Sequence, residues 1–544
     1  RTHDVLATIA WAGNHGTSQV ELIGLAGAGH IAAAAAAQAG NTLSRLAIHT
    51  DGFRFVDQTD VYHVDFLPGA ARYNDLPGLL SLAAPDRMWL AGEDTEGAEF
   101  VSDAWTARGS GKLAIAPDQN DGDADAVRWL VSNDAPRSAA VRQTSEDWPR
   151  WRGPRGDGTW KTVELPARWP DDGLRRLWRQ PVGGGHGGVA AAQGRVYLMD
   201  RQTEPREVER VLCFDAATGD RLWAHEYRVA YGKLDYGNGP RSTPTVFDGR
   251  VYTFGSIGHV FCLDATTGTI LWQREYPLDT SKKLPMWGLA ASPVIDGDNV
   301  IIHPGAEPNG CLIALNRKTG SEIWRSLSDP SGYATPILIE RDGRREIICW
   351  TPKHIHGLLA ETGEPLWSIP HDVTYGVSIV TPIYTDGIVF VSGYWDGAQA
   401  IRLGKEPHDA ELIWEDNANL RGVMSQPLSR GDHAWMIDKS RGLTCFELAT
   451  GKKLWDAGHQ MTPRGRNPQA NLVWLNDSDR AIVLNSDGEL ILARLSVDGY
   501  EEQSRCSIIG ATWAHPAFAW GRVFARNDEE LICVPMTDRV NDSN

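Results

Sequence analysis

The chain has 544 residues, 42% hydrophobic and 23% charged, with 56 glycines, 30 prolines and 22 tryptophans. At about 150 residues per domain this is too long for one ordinary core, so either several domains or one domain that grows by repetition is expected. The net charge of −17 argues against a nucleic-acid partner held through its phosphates, and no apolar run reaches the ~18 residues of a membrane span.

Residues 1–132 are expected to be α/β. A helix-like run over Asp4–Ala12 leads to an apolar strand, Val20–Leu25, then an alanine-rich helix to Ala39. Further strands are expected at Leu43–His49, Arg87–Ala91 and Lys112–Ala116. Strands alternating with helices at this spacing predict a parallel sheet with covering helices. At the first turn two readings compete. The run Gly24-Leu25-Ala26-Gly27-Ala28-Gly29, with Asp51 about 20 residues on, has the ingredients of a dinucleotide turn, but its spacing is G-x-x-G-x-G. The same run can be the strand-to-helix elbow of an α/β-hydrolase, where G-x-S-x-G presents the nucleophile. The stretch FLPGAARYNDLPGLLSLAAPDRMWLAGE (66–93) resembles the C-terminal half of acetyl-xylan-esterase-like α/β-hydrolases, which favours the second reading. On that resemblance Ala26 stands where the serine belongs, and Glu93 and Asp94 follow the strand that would carry the acid. The stretch Asp118-Gln119-Asn120-Asp121 lacks the histidine expected after the last strand. Alanine has no hydroxyl to attack an ester, so a degenerate, incomplete and inactive hydrolase half is expected. Residues 133–146 show no periodicity and read as a linker. Trp148 and Trp151 just beyond are expected to pin it to the side of the following domain.

From residue 147 the chain is repetitive. Segments close on Trp178, Trp223, Trp272, Trp324, Trp367, Trp414 and Trp455, at intervals of 41–52 residues, mostly after Thr-Gly-x-x-x-Trp. A period of about 40–50 residues built from short strands predicts β-propeller blades, each a four-stranded sheet. The turns read Asp215–Gly219, Asp264–Gly268 and Asn316–Gly320, while Leu359–Gly363 and Glu447–Gly451 keep only the Thr-Gly. Asp or Asn there can bond its own backbone, and Gly supplies a positive φ. The fixed offset from Gly to Trp predicts an indole at each seam between blades. Cys213, Cys262 and Cys445, from a total of seven cysteines without a Cys-x-x-Cys pair, read as buried strand thiols.

Inner strands begin near Gly187-Gly188-Val189, Ser242-Thr243-Pro244, Ala291-Ser292-Pro293, Ala334-Thr335-Pro336, Val380-Thr381-Pro382, Ser425-Gln426-Pro427, Ala470-Asn471-Leu472 and Ala514-His515-Pro516, which predicts eight blades. One outer strand looks degenerate around Ser504–Ile508, after a turn at Asp498–Gln503. The final strands lack a following Trp, so the Trp178 strand is expected to complete the last blade and close the ring. The fold class is thus mainly β: an eight-bladed propeller over 147–538 and a tail at 539–544, preceded by the truncated α/β hydrolase-like domain. The opening on Arg1 in mid-pattern reads as a truncation, with the true N-terminus and any targeting peptide upstream.

The repeat LDATTGTILW (263–272) and the stretch DWPRWRGPRGDG (147–158) resemble the pyrroloquinoline-quinone-like propeller repeat proteins. These share an eight-bladed fold with quinoprotein alcohol dehydrogenases and the outer-membrane assembly factor BamB. The resemblance covers about residues 147–537 and implies a periplasmic or exported setting. Quinoprotein dehydrogenases hold their cofactor between a Trp floor and an adjacent-cysteine disulfide, with Ca²⁺ on Glu, Asn and Asp and an Asp as base. This chain has no Cys-Cys pair and no Cys-x-x-Cys-His, and its acidic residues are spread over turns. Neither the quinone nor calcium is expected.

The loops from each outer strand to the next inner strand should converge at one mouth of the ring. They carry His186, Tyr236, Trp287, Tyr333, Tyr375, Met424, Arg466 and Trp513. Aromatic and Arg residues at a concave site suit ligand or peptide recognition. His303, His354 and His356 invite a metal, and His354 and His356 point to one face of a strand. With no third ligand at a useful spacing, surface or turn histidines are expected instead. The expected function is a non-catalytic binding or scaffold protein, with a protein, a peptide or a small ligand at the funnel. A quinone-dependent dehydrogenase and a carbohydrate-ester hydrolase are the alternatives.

Overall fold

The structure, a computed structural model, describes residues 1–14, 20–25, 27–39, 42–58, 74–83, 85, 87–108, 112–115, 126–127, 129–130, 146–162, 164–276, 285–422 and 424–537. The chain divides into two compact units, Arg1–Arg142 and Gln143–Asn544. Ala26, Asp118–Asp121, residues 133–145 and the tail at 539–544 lie outside the described residues.

In the first unit four strands, β1 (Val20–Gly24), β2 (Leu43–His49), β3 (Arg87–Ala91) and β4 (Lys112–Ile115), form a parallel sheet in sequential order. Helices α1 (Thr2–Asn14), α2 (Gly29–Ala39), α3 (Asp75–Leu82) and α4 (Thr95–Arg108) accompany them. Alanines on α2 bury Ala33 and Ala36 against Leu46, Ile48 and Leu90. Small side chains let a helix approach the sheet closely, and the approach is closest at Gly29, where a Cβ would collide with the His49 carbonyl. Asp51 accepts a hydrogen bond from the Gly27 N–H (3.1 Å), which fixes the turn between β1 and α2.

The second unit is mainly β. A short strand β5 (Thr159–Trp160) and β6 (Trp178–Pro181) come first, then seven antiparallel four-stranded blades and three strands of an eighth. Blades 1 to 7 span 190–228, 245–275, 294–326, 337–370, 383–416, 428–456 and 470–507. Blade 8 is built from Ala517–Ala519, Arg522–Arg526 and Glu530–Pro535, and β6 completes it by pairing Trp178 with Cys533. The ring is therefore closed between its two ends, and no sheet is left with three strands. Blade 7 also gains β5, parallel to its innermost strand. Its outermost strand runs from Tyr500 to Ser507, so the expected turn at Asp498–Gln503 is displaced: Glu501 and Glu502 are already paired with Arg494 and Ala493. Without its Trp this strand lacks the landmark that fixes the register of the others.

The repeated tryptophans join the blades. In five of the seven cases the indole of one blade lies over the glycine of the next blade's turn: Trp178 over Gly219, Trp223 over Gly268, Trp272 over Gly320, Trp324 over Gly363, Trp414 over Gly451. Trp178, Trp223, Trp272 and Trp414 also donate Nε1–H to a carbonyl of that turn, at Ala216, Ala265, Arg317 and Leu448, over 2.7–3.1 Å. The turn itself is shaped by its first residue: Asp215, Asp264 and Asn316 each accept N–H groups two and three residues on. Within its own blade the indole faces a small residue on the adjacent strand, Cys213, Cys262, Ala314, Gly357, Ala400, Cys445 or Cys533. The thiols are thus buried partners of the indoles. In blade 7 the register puts Ser504 where the others have Trp. Trp169, from outside the repeat, takes over there: its N–H bonds Ser504 Oγ (3.0 Å) and its indole bonds the Leu490 carbonyl (3.2 Å).

Two glycines separate the packing part of this joint from its backbone part. Gly320 and Gly343 have nearly equal φ, +70° and +73°, but a Cβ on Gly320 would lie 2.6 Å from the Trp272 ring and one on Gly343 meets nothing within 4 Å. Gly343→Ala is expected to cost about 1–2 kcal/mol, the left-handed backbone penalty alone. Gly320→Ala should cost about 1–3 kcal/mol more from overpacking. Denaturant unfolding of the two variants measures the difference; equal losses would mean that the indole does not hold the seam.

Candidate functional site

The innermost strands line the ring's axis, and their first residues are polar for a structural reason. Thr243 N–H donates to Ser292 Oγ and Ser292 N–H to Thr335 Oγ1, both at 2.9 Å, while Thr381 N–H donates to Gln426 Oε1 at 2.6 Å. Neighbouring blades whose backbones are too far apart for a sheet ladder satisfy their donors through these side chains.

One end of the axis is closed by residues 146–160. Trp148 exchanges two backbone hydrogen bonds with Ala191 of blade 1, and Val246 of blade 2 donates to the Pro149 carbonyl. Trp151 Nε1–H bonds Thr381 Oγ1 before blade 5 (3.0 Å), Arg152 bonds the Pro427 carbonyl before blade 6 (2.8 Å), and Trp474 of blade 7 donates to Gly158. Trp520 of blade 8 donates to Asp147 (3.0 Å). This segment is a plug. The expectation that Trp148 and Trp151 lie on the propeller's side is corrected: Trp148 is fully buried, and Trp151 lies on the axis. Gly153, Gly156 and Gly158, all at positive φ, fold the segment back on itself tightly enough to enter the ring. Arg152 is 1% exposed, and burial depresses its guanidinium pKa to about 10.

Above the plug lies a cavity of about 110 Å³, floored by Trp151 and His515. Of the eight loop residues expected at the mouth, His186, Tyr236, Trp287, Tyr333, Met424 and Trp513 line it. Arg466 lines a smaller adjoining hollow with Tyr236, Trp287 and Met424. Tyr375 does not join them. It is 69% exposed and borders a separate cavity of about 850 Å³ at the rim of blades 3 and 4. Its φ of +57° inside a short 3-10 turn aims the ring away from the axis, where it packs on Trp395 instead.

The rings form a continuous chain, with centroid distances of 5.8 Å for His186–Trp513, 5.4 Å for Trp513–Tyr236, 6.0 Å for Tyr236–Trp287 and 4.9 Å for Trp287–Tyr333. Arg241, which a reading of loop tips alone misses, shapes this rim from below. Its guanidinium donates to the carbonyls of Asp235, Gly237 and Gly239 at 2.8–2.9 Å, curling the loop around itself. Tyr236 is held at φ +62° at the top of that loop, and Asn467 Nδ2 from the opposite side of the ring donates to its hydroxyl (3.2 Å). Burial lowers the Arg241 pKa to about 10 and, together with Arg241, also lowers that of His186. Burial raises Tyr333 to about 12. Two buried groups at this cavity have no partner among the described residues, the Trp287 Nε1–H and the Gln469 Oε1. They offer one donor and one acceptor to whatever enters.

The histidines are placed differently from the expectation. His303 and His356 are buried rather than on the surface, and His354 is partly exposed. The third group missing from the sequence reading is Asp329, 25 residues before His354, on the loop from blade 3 to blade 4.

His515 gives a pH prediction. Buried between Trp148 and Trp151, with Nδ1 2.8 Å from the Pro516 carbonyl, it has its pKa lowered to about 4, chiefly by burial. The folded protein thus keeps it neutral where the unfolded chain takes a proton below about pH 6.5. Its contribution is intact above that pH and is lost as pH falls towards 4, at about 1.4 kcal/mol per unit. Between pH 6.5 and 5 the unfolding free energy should drop about 2 kcal/mol more in the parent than in His515→Gln, as measured by urea titrations at each pH.

Among family models, the one described as outer membrane protein assembly factor BamB matches residues 170–339 and 351–541. The solved structures that the chain resembles include BamB from Moraxella catarrhalis, 18% identical over 66% of this chain and 99% of that one, with a TM-score of 0.43. A europium-containing methanol dehydrogenase is 10% identical over 70% and 90%, TM-score 0.50. A quinohemoprotein alcohol dehydrogenase from Pseudomonas putida HK5 is 12% identical over 75% and 83%, TM-score 0.50. At these identities the likeness to solved structures shows the fold alone. None of the curated proteins matches the chain.

Proposed function

The chain belongs to the family of the outer membrane protein assembly factor BamB, and on that premise we propose that it is a non-catalytic binding or scaffold propeller. Its funnel receives a side chain of a protein or peptide partner. The observation that carries this reading is the lining of the axial cavity. It offers five aromatic rings of Trp and Tyr, Met424 and Arg241, but among the described residues no Asp, Glu, Cys or Lys. Its hydroxyls at Ser292 and Thr335 are engaged by backbone N–H groups of the neighbouring blades rather than by a base. Nucleophilic catalysis needs a base within hydrogen-bond reach of the nucleophile, and the lining supplies no such pair. Trp, Tyr and Arg around a desolvated pocket are the composition of a binding hot spot. The volume supports one inserted group: about 110 Å³ is near the 150 Å³ that holds a benzene and below the roughly 300–1,000 Å³ of small-molecule sites.

A pyrroloquinoline quinone with Ca²⁺ does not fit these residues. Ca²⁺ takes six to eight oxygen ligands, carboxylates prominent among them, and among the described residues no carboxylate lines the cavity. We therefore derive no quinone step. The finer reading of the first unit, an inactive hydrolase half, is supported by how its carboxylates are used. Glu93, with a side chain 1% exposed, is ion-paired to Arg54 at 2.8 Å. Asp94 contacts the same guanidinium at 3.1 Å and accepts the Gly97 N–H in the first turn of α4. Both are engaged in holding structure, and Ala26 carries no nucleophile.

Two measurements test this. Random peptides displayed on phage and panned on the immobilised full chain should enrich sequences whose binding weakens at least about 30-fold in Trp287→Ala and Trp513→Ala, the size of a hot-spot loss of about 2 kcal/mol. No enrichment over a funnel double variant, or a quinone absorbance shift with dye reduction on adding pyrroloquinoline quinone, Ca²⁺ and an alcohol, would overturn the reading. For the first unit, hydrolysis of 4-nitrophenyl acetate should stay at the buffer rate. A burst that disappears in Glu93→Gln would show a live esterase.

A further inference from the structure

Away from the funnel, the loop from blade 3 to blade 4 lays Asp329 against the third strand of blade 4, His354–Leu359. His354 and His356 are alternate residues and share one face of it. Asp329 Oδ2 lies 2.8 Å from His354 Nδ1, 3.1 Å from His356 Nε2 and 2.6 Å from Thr351 Oγ1. One ligand atom from each of Asp329, His354 and His356 falls within 4.8 Å of the others. We propose that Asp329, His354 and His356 form a binding site for a divalent transition-metal ion of the zinc class.

The donor set and the spacing both suit such an ion. Two imidazoles and one carboxylate are borderline ligands, matched to Zn²⁺, Ni²⁺ or Cu²⁺ rather than to Mg²⁺ or Ca²⁺. Ligand atoms about 2.0–2.1 Å from a tetrahedral ion sit roughly 3.3 Å apart. The two contacts to Asp329 would therefore lengthen by about half an ångström or less, while the imidazole nitrogens draw together. Each ligand is also oriented from behind, as metal ligands are. Ser368 Oγ lies 3.0 Å from His356 Nδ1, and Thr351 Oγ1 donates to Asp329. The protons balance without any leaving the site. The His356 proton moves from Nε2 to Nδ1, where Ser368 Oγ accepts it, and the His354 proton moves from Nδ1 to Nε2. The His354 side chain is 37% exposed, so that nitrogen can be served by water. Asp329 lines the cavity of about 850 Å³, from which water can complete the coordination. The competing account is a metal-free cluster in which Asp329 only accepts hydrogen bonds; it predicts no saturable binding.

The test uses the full chain without a histidine tag, titrated with Co²⁺ as an optical probe and then with Zn²⁺ as competitor. One Co²⁺ per chain should bind with visible d–d bands, and one Zn²⁺ should displace it. Asp329→Asn and His354→Gln, which keep the size of the side chains, should each weaken binding at least about tenfold, while His408→Gln on the exposed rim should not. Binding only at millimolar Co²⁺, or binding unchanged in the two variants, would overturn the site. Should either variant fold poorly by circular dichroism, X-ray absorption of the Zn²⁺-loaded parent decides. Two imidazoles with oxygen neighbours support the site, and sulfur or all-oxygen coordination overturns it.

Discussion

An indole stacked on a glycine of the next blade, with its N–H on that blade's turn, is the contact on which the ring depends. The glycine has to be at positive φ to turn the strand and has to lack a Cβ to admit the ring. The same residue therefore satisfies a backbone and a packing requirement, and at five of the eight seams it places one blade against the next. A sheet of four strands leaves two faces and two edges to cover. The faces are covered by the neighbouring blades, and one such contact repeated in a consistent direction generates a ring rather than a stack. Closure is the same contact again: Trp178 reaches blade 8 by pairing with Cys533 and blade 1 by lying over Gly219.

A ring built this way has an axial channel, and the channel has to be filled or used. Residues 146–160 fill one end with Trp148, Trp151 and Arg152. Arg152 ties the plug to the ring because its Nη2 donates both to the Asp157 carbonyl of the plug and to the Pro427 carbonyl just before blade 6. The other end stays open above Trp151. There the loops have only to connect blades, so their residues are free of the repeat and can be aromatic. Arg241 curls a glycine-rich loop around itself by occupying three of its carbonyls. The shape of this rim thus rests on a partly buried cation beneath the aromatic rings.

What could be read from residues alone follows from which constraints are local. The Thr-Gly-x-x-x-Trp offset encodes the turn and the seam together, so the blade count, the closure at Trp178 and the six converging loop residues were legible. The position of Tyr375 was not, because positive φ at Tyr375 and Gly376 turned its loop outwards. The blade 7 strand was misplaced because its register marker is Ser504, and the Trp that fills the seam, Trp169, lies more than 300 residues earlier in the chain. The plug was read as a side contact for the same reason: its partners are spread over six blades and share no spacing with it. Asp329 escaped notice because it stands 25 residues before His354 on a connecting loop that shares no spacing with the repeat.

The departures from the repeat carry more information than its copies. In blades 1, 2 and 3 the residue just before the indole's cross-strand partner is Leu212, Phe261 or Ile313; in blade 4 the same register position is His356. That position is hydrocarbon in blades 1, 2, 3, 7 and 8 and Gln399 or Thr444 in blades 5 and 6, so the fold does not require an imidazole there. Burying one instead exchanges favourable apolar burial for a polar group that must be paired. The pairing is built in from both sides, by Ser368 on Nδ1 and by Asp329 on Nε2, and Asp329 is itself brought in by a loop whose course the blade contacts fix. His354, two residues earlier, adds a second nitrogen on the same oxygen. Three polar residues from blade 4 and the loop that enters it, converging where the repeat needs none of them, are arranged for their lone pairs rather than for the stability of the propeller.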